Sequence, residues 1–403
     1  MFKINATVVP RASREECNEK LAEALPIIKK SLDKLTQKLA EELQTKKGVI
    51  AIRYIAASLR NALDVCSLSR MSMANRIGFE TLVDRWQELS VPMIEHTDVS
   101  GLRSIMQAQL QFRMQPPPEW MACWYEASMK KMSDPEAMMF TPSLFAITML
   151  SMTPRADWMQ QWFQAMQGHW SSLDEQAFSN TLLAVASLKV QGVPIPQQTI
   201  AEMTTELNAR HITNISHLSQ LYSAVQILEI PVPDWLTQAP YVLMNANQSR
   251  GRPSSLEREF FALLGSRLRA INHSVTVQKE VWSDHTCSPI DANLHLHPLA
   301  AGEKDASLWL QLDGPAHFVK DADGHQILDG QSMLQTAILK KHCGKGEDVM
   351  RLSGRDFSGD NVAAIDRVLD RLCALANVKP QVKALTEAHE AGARLPKQKW
   401  RAA

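Results

Sequence analysis

The feature that most constrains the fold of this chain is an internal repeat of about 38 residues in its middle. Four segments align in steps of 38, 38 and 40 residues. They are LRSIMQAQLQF (102–112), FTPSLFAITML (140–150), FSNTLLAVASL (178–188) and LSQLYSAVQIL (218–228). Each has the three-to-four apolar spacing of a helix, and each carries an alanine in the same register: Ala108, Ala146, Ala184 and Ala224. The small residue predicts the point where a neighbouring helix approaches closely.

A proline corner follows every copy. The corners are PPPEW (116–120), PRADW (154–158), VPIPQQ (193–198) and PVPDW (231–235). Proline ends the first helix and is well tolerated in the first turn of the next one. The carboxylates of Glu119, Asp157 and Asp234 favour a helix N-terminus, and a tryptophan follows each. Because one helix pair cannot bury its apolar face alone, the copies are predicted to stack into an α-solenoid over residues 95–250.

The first 94 residues also have a helical pattern. In residues 15–44 the apolar positions Leu21, Leu25, Ile28 and Leu32 keep a helical spacing, with lysines and glutamates on the other faces. Pro26 is expected to kink or restart this helix. Two interpretations stay open for it: an amphipathic helix that packs on its neighbour, or a basic helix that contacts RNA or a membrane.

The periodicity changes after residue 250. A capping box, Ser254 with Glu257, predicts a helix, and four strand-like runs follow: SVTVQKEV, PIDANLHLH, SLWLQLDG and DVMRLSG. Alternation places Asp291, Asn293, His295 and His297 on one strand face, and Trp309, Gln311 and Asp313 on one face of the next. If these strands pair, Asp291, Gln311 and Asp313 form one polar patch. A mixed sheet with helices is therefore predicted for residues 251–378, followed by a basic tail, 379–403.

The repeat resembles the octotricopeptide repeat, a helical repeat of organellar RNA-binding proteins that also occurs in some bacteria. The resemblance rests on the two-helix, 38-residue unit and on the literal PPPEW, and it covers residues 95–247. It implies single-stranded RNA lying along the concave face, with a few side chains of each repeat reading one base.

The C-terminal region resembles the RAP domain, a presumed RNA-binding module that often follows such repeats. The resemblance covers residues 255–372 and rests on IDANL, LWLQLDGPAHF, LDGQSMLQTAILKKHC and DVMRLSGRDF in that order. It implies an RNA-binding site, for which the candidates are Asp291, Gln311, Asp313, Gly314, His317, Lys340 and Lys341.

RAP domains resemble the core of PD-(D/E)XK nucleases, so a Mg²⁺-dependent endonuclease is the alternative. Its catalytic candidates are Glu257, Asp291, Asp313 and His317. However, Gln311 stands where many RAP domains carry an acidic residue, and Gln335 replaces a lysine often found after the LDG turn. A neutral amide binds Mg²⁺ more weakly than a carboxylate does. No metal or cofactor is therefore expected unless the chain is a nuclease.

Two further histidine-containing patterns favour structural interpretations. The pair His295 and His297 lacks an assigned third ligand and is more typical of a polar strand face. The run DADGHQILDG (321–330) resembles the start of a calcium loop but has no glutamate at its twelfth position, which favours a surface turn.

Composition limits the choice of partners. The 43 basic and 43 acidic residues cancel, so any attraction to RNA must be local. There is no apolar run of about 18 residues and no secretory pattern at the start, and the six cysteines are scattered. The sequence thus predicts a cytoplasmic protein that binds single-stranded RNA and acts on its processing, stability or translation. Other proteins are a second class of partner left open. A protein-interaction scaffold, including an exported bacterial effector, is a further alternative.

Overall fold

The computed structural model describes residues 13–42, 53, 55–61, 71–132, 136–246, 255–270, 274–297, 304–353, 356 and 361–378. The chain divides into two compact units. Among the described residues, one unit comprises those within 13–166 and 319–327, and the other comprises those within 167–318 and 328–378. The described residues form helices followed by a small mixed sheet with helices of its own, so the coarse fold class predicted from the sequence, α followed by α/β, is confirmed.

The first unit begins with a long helix that is continuous through its proline. Helix α1 (Arg14–Glu42) contains Pro26 in its interior, so the expected restart there is wrong. Its buried residues Leu21, Ile28 and Leu32 follow the predicted stripe, and α1 packs against α3 (Met73–Ile94). Residues 55–61 form the helical turns of α2.

Helices one repeat apart contact each other in this unit. The first helices of two successive copies, α4 (Val99–Phe112) and α6 (Thr141–Met149), pack together. The second helices form another series, in which α3 packs on α5 (Pro118–Met129) and α5 packs on α7 (Ala156–Met166). Ala108 and Ala146 are fully buried, as the register predicts.

One hydrogen bond recurs with the period of the repeat. The indole N–H of Trp120 donates to the hydroxyl of Ser90 at 2.7 Å, and that of Trp158 donates to Ser128 at 2.9 Å. The donor and the acceptor of the second bond each lie 38 residues after those of the first. Ser90 belongs to α3, so this register extends upstream of the segments that the sequence alignment found. Buried Trp86, Trp124 and Trp162, also 38 residues apart, mark the same extension.

The proline corners share a backbone conformation. Arg113, Ser151 and Glu229 have φ values of 55°, 59° and 61°, and they stand at equivalent positions after α4, α6 and α10. A left-handed residue after a helix turns the chain and lets its N–H groups bond to the last carbonyls. The third corner uses Gly192, with φ of 80°, for the same turn.

The second unit contains the helices α8 (Glu175–Val190), α9 (Gln197–Ala209), α10 (Ile215–Leu228) and α11 (Ala239–Ala246). Helix α8 packs on α10, and the aligned Ala184 and Ala224 are buried. The last copy departs from the others. Its corner opens a short 3₁₀ helix, Asp234–Leu236, and Trp235 is only half-buried.

The C-terminal region forms a four-stranded sheet in the order β1-β2-β3-β6. Helix α12 (Ser255–Ala270) precedes β1 (Ser274–Ser283), β2 (Ser288–His297) and β3 (Ala306–Asp313), which pair antiparallel. Helix α13 (Gly330–His342) then leads to β6 (Glu347–Ser353), which is parallel to β3, and α14 (Asn361–Ala376) follows. All four predicted strands are present. The capping residue Ser254 lies outside the described residues.

Two three-residue strands, β4 (Phe318–Lys320) and β5 (Gln326–Leu328), form a separate hairpin that the sequence pattern did not reveal. Strands this short carry too few residues for alternation to be visible.

Helices cover both faces of the four-stranded sheet. Leu294, Leu308 and Leu310 face a core that includes Phe260 of α12 and Leu369 of α14. Trp309, Val349 and Ile290 lie on the other face, with Leu339 of α13. The polar residues of β3 therefore lie beneath α13, where water is excluded and every polar group needs a partner.

Candidate functional site

The predicted patch centres on a buried ion pair that the sequence did not predict. Asp313, the last residue of β3, binds Arg351 of β6. The Arg351 Nε donates to Asp313 Oδ2 at 2.7 Å, and Nη2 donates to Oδ1. The two side chains are 1% and 8% exposed. Parallel pairing of β3 with β6 places Arg351 opposite Gln311 and beside Asp313.

The third nitrogen of Arg351 is also fully used. Nη1 donates to the Thr336 hydroxyl at 3.1 Å, and to the Ser332 carbonyl and Gln335 Oε1 at 3.3 Å. All three acceptors belong to α13. The guanidinium therefore joins β3, β6 and α13, and both oxygens of Asp313 are occupied by it.

His317 lies beside this pair. Its Nδ1 is 3.7 Å from Asp313 Oδ1 and 3.0 Å from the hydroxyl of Ser332. Gly314 and Pro315 lead into it through a 3₁₀ turn, Pro315–His317. Gln311 is also buried here, and its Oε1 has no hydrogen-bond partner among the described residues. The structure thus brings Gln311, Asp313 and His317 together around Arg351.

Asp291 lies at an irregular point of β2, where strict alternation fails. Ile290 packs with Trp309 and Leu339, whereas Ala292, two residues on, packs in the opposite core. The pairing of β1 with β2 is interrupted between Val281 and Lys279, and Glu280 there has a φ of 50°. The predicted shared face of Asp291 and Asn293 is therefore wrong.

This irregularity turns Asp291 toward helix α12. Its carboxylate lines a depression with Glu257, Phe261 and Lys279, while Oδ2 accepts the Leu312 N–H at 2.6 Å. Burial raises the pKa of Asp291 to about 6, although the Leu312 N–H opposes that shift. The charges of Glu257 and Asp313 raise the pKa further. Glu257 and Asp291 are thus near each other, on the α12 side of the sheet.

These residues do not fit a Mg²⁺ site that needs three carboxylates. Both oxygens of Asp313 accept hydrogen bonds from a guanidinium, and Gln311 supplies an amide where the resemblance would place an acid. A hard divalent cation prefers charged oxygen ligands, which leaves only Glu257 and Asp291 of the predicted set.

The two lysine candidates have different environments. Lys341 Nζ donates to Glu229 Oε1 and to the Gln226 carbonyl, both at 2.8 Å, so it is engaged within the fold. Lys340 is exposed and has no ion-pair partner among the described residues. Of the two, Lys340 is the one whose charge is available to a ligand.

Among the described residues, one group of three side chains has metal-ligand spacing: Asp321, Asp323 and His325, in the turn between β4 and β5. Asp321 Oδ1 already accepts the backbone N–H groups of Asp323 and His325, at 3.0 and 2.7 Å. The group has the geometry of a tight turn around Gly324, whose φ is 84°. The second histidine pattern is the pair His295 and His297, in which Nε2 of His297 lies 3.1 Å from the hydroxyl oxygen of Thr276.

Arg351 is the residue of the candidate site that the sequence analysis missed. A signal was present, because it is a lone charge in the otherwise largely apolar end of DVMRLSG, on a strand that packs between two helical layers. A buried charge needs a partner of opposite sign, and Asp313 lies on the neighbouring strand, two residues after Gln311, the residue that pairs with Arg351.

The comparisons with known proteins assign no family. No family model matches the chain, and a search of curated proteins finds no similar sequence. Within the described residues, no helix is both long and apolar enough to cross a membrane.

Proposed function

We propose that this chain binds single-stranded RNA without hydrolysing it, and so acts on the processing, stability or translation of its target. In this proposal the helical copies form an α-solenoid of 38-residue helix pairs, and the C-terminal region is a RAP-like domain with a PD-(D/E)XK-like core. The supporting observations are the packing of helices one copy apart and the recurring tryptophan–serine bond. The order α12-β1-β2-β3-α13-β6 of the mixed sheet adds support for the second part.

The observation that carries the choice of binding over catalysis is the ion pair between Arg351 and Asp313. A metal-dependent nuclease needs free carboxylates to hold its cation. Here an internal cation neutralises one of them, with five donor contacts fixed by the surrounding strands and helix. This ion pair supports binding over the nuclease alternative, and in this proposal the domain keeps a nuclease-like frame whose centre is neutralised.

One experiment tests both whether the chain binds RNA and whether it leaves the RNA intact. The full chain is mixed with an end-labelled single-stranded RNA, and fluorescence anisotropy is recorded across a salt series with Mg²⁺, with Mn²⁺ and with a chelator. We expect affinity that falls with salt, because phosphate contacts release counterions. We also expect the RNA to remain intact on a denaturing gel in every case.

A pair of lysine variants sharpens this experiment. Lys340→Ala should weaken binding and reduce the salt slope by about one counterion. Lys130→Ala is the control, since Lys130 is an exposed lysine that is paired with Glu95 at 2.8 Å. Metal-dependent cleavage that is lost in Asp291→Ala would instead establish the nuclease. Absence of RNA binding at low salt would favour the protein-interaction scaffold.

A further inference from the structure

Two histidines that the candidate site does not use lie face to face in the second unit. The ring of His285, in the turn between β1 and β2, stacks on the ring of His342, the last residue of α13. The ring centroids are 3.8 Å apart and the planes differ by 5°. His342 Nε2 lies 3.1 Å from Oε1 of Gln226, in α10. The stack therefore joins the sheet turn, α13 and the last long repeat helix.

The boundary of α13 with α8 and α10, called the seam below, also contains ionic contacts. Lys341 Nζ binds Glu229 and the Gln226 carbonyl, and Lys189 of α8 binds the other oxygen of Glu229 at 3.2 Å. Helix α13 packs on both α8 and α10. Hydrogen bonds to Lys341 and Lys189 lower the pKa of Glu229, so these ionic contacts persist in mild acid.

The charges around the stack are of both signs. The elements that carry the stack or pack near it hold these other titratable groups: Tyr222 and Glu229 of α10, Lys189 of α8, Asp284 and Cys287 of the turn, Lys340 and Lys341 of α13, Cys343 after it, and Glu347 and Asp348 of β6. The C-terminus of α13 favours a cation. Burial nevertheless lowers the pKa of His342, and the charges of His285 and Lys341 lower it further.

We propose that the His285–His342 stack is an acid-sensitive latch between α10 and the sheet domain. Neutral rings stack and leave Gln226 bonded to His342. When acid protonates His342, its positive charge lies against the stacked ring of His285 and near Lys341, both of which disfavour that charge, and the contact separates. The pKa of His342 is lowered in the closed seam, which means that the closed form disfavours protonated His342. Protons therefore bind preferentially to the open form, and acid shifts the equilibrium toward it. This device does not depend on which ligand the chain binds.

The experiment is hydrogen exchange with mass spectrometry on the full chain, at about pH 7.5 and about pH 5.5, bracketing the ordinary pKa of histidine. Labelling times are scaled for the intrinsic pH dependence of amide exchange. We expect protection of peptides covering Gln226–Ile230 and Lys340–Gly344 to fall about fivefold in acid, the factor that corresponds to about 1 kcal/mol of repulsion between like charges in water. Peptides from β3 should show no such fall.

Three variants decide the interpretation. The double variant His285→Phe, His342→Phe keeps two stacked rings that cannot be protonated, and His285→Gln removes the ring that faces His342 while leaving the His342–Gln226 contact. Both should abolish the acid-dependent loss of protection, whereas His96→Phe, an exposed histidine elsewhere, should behave as the parent chain does. An unchanged seam in the parent chain at acid pH, or an equal loss in both stack variants, would overturn the proposal. RNA binding plays no part in this measurement, so its outcome is independent of the proposed function.

Discussion

Replacing Arg351 with methionine should be among the most damaging single substitutions in the sheet domain. Methionine keeps much of the side-chain volume but removes the charge, so Asp313 remains buried with its negative charge uncompensated by a guanidinium. Asp313 is 1% exposed and Arg351 is 8% exposed, so water cannot replace the lost donors. Breaking a buried pair by removing one partner costs about 3–5 kcal/mol. The whole domain is stabilised by only about 5–15 kcal/mol.

The measurement is urea unfolding followed by circular dichroism, with the free energy of unfolding extrapolated linearly to water. The matched control is Arg371→Met. Arg371 donates to Asp348 at 2.6 Å in the same domain, but its side chain is 50% exposed. An exposed pair contributes about 0–1 kcal/mol, so this variant should lose no more than that.

A double variant tests the physical reason. Asp313→Leu combined with Arg351→Met removes both charges, and such replacement is often neutral or stabilising. It should therefore be more stable than Arg351→Met alone. If Arg351→Met lost no more stability than Arg371→Met, or if the double variant were the weaker of the two, the reasoning about an uncompensated buried charge would be refuted.

Three further predictions concern packing, the repeat register and pH. Ala184→Leu should overpack the contact of α8 with α10 and cost about 1–3 kcal/mol; an unchanged melting temperature would contradict the alanine register. Trp158→Phe removes the indole N–H that donates to the Ser128 hydroxyl and should lower the free energy of unfolding in urea by about 1–2 kcal/mol. Trp120→Phe should cost a similar amount, because it removes the equivalent bond in the preceding copy. A large difference between the two variants would argue against equivalent copies. Asp291→Asn keeps an acceptor for the Leu312 N–H and should stabilise the chain above about pH 6, by at most about 3 kcal/mol at about 1.4 kcal/mol per pKa unit. Because the pKa of Asp291 is raised to about 6, the stability that its protonated form contributes is present in acid and is lost as pH rises through that value. The gain in the free energy of unfolding from Asp291→Asn should therefore vanish near pH 4, and urea unfolding at several pH values measures it.

Local sequence patterns were enough to locate the helices and corners of the repeat. Apolar spacing within a helix and the conformational limits of proline are local properties, so the amino-acid sequence alone aligns the four copies and assigns Ala146 and Ala184 to buried contacts. The same locality revealed the four longer strands. The sequence alignment did not find the upstream extension into α3, because Trp86 and Ser90 lie in a segment without the proline corner on which the alignment was based.

The candidate site shows what a local pattern cannot supply. Alternation placed Gln311 and Asp313 on one face of β3, but it put Asp291 on the same face as Asn293, because a period of two assumes a regular strand. The backbone is irregular at Glu280, where the pairing of β1 with β2 is interrupted opposite Asp291, and the residues of β2 do not encode that interruption on their own.

Which charges neutralise each other depends on tertiary contacts. Arg351 follows Asp313 by 38 residues and reaches it through the crossover of α13 into a parallel strand, so their contact depends on the register of β3 with β6. Lys341 meets Glu229, more than a hundred residues earlier, and His285 meets His342, only where helices and turns pack. Helix formation needs neighbours in sequence, whereas the compensation of a buried charge needs neighbours in space.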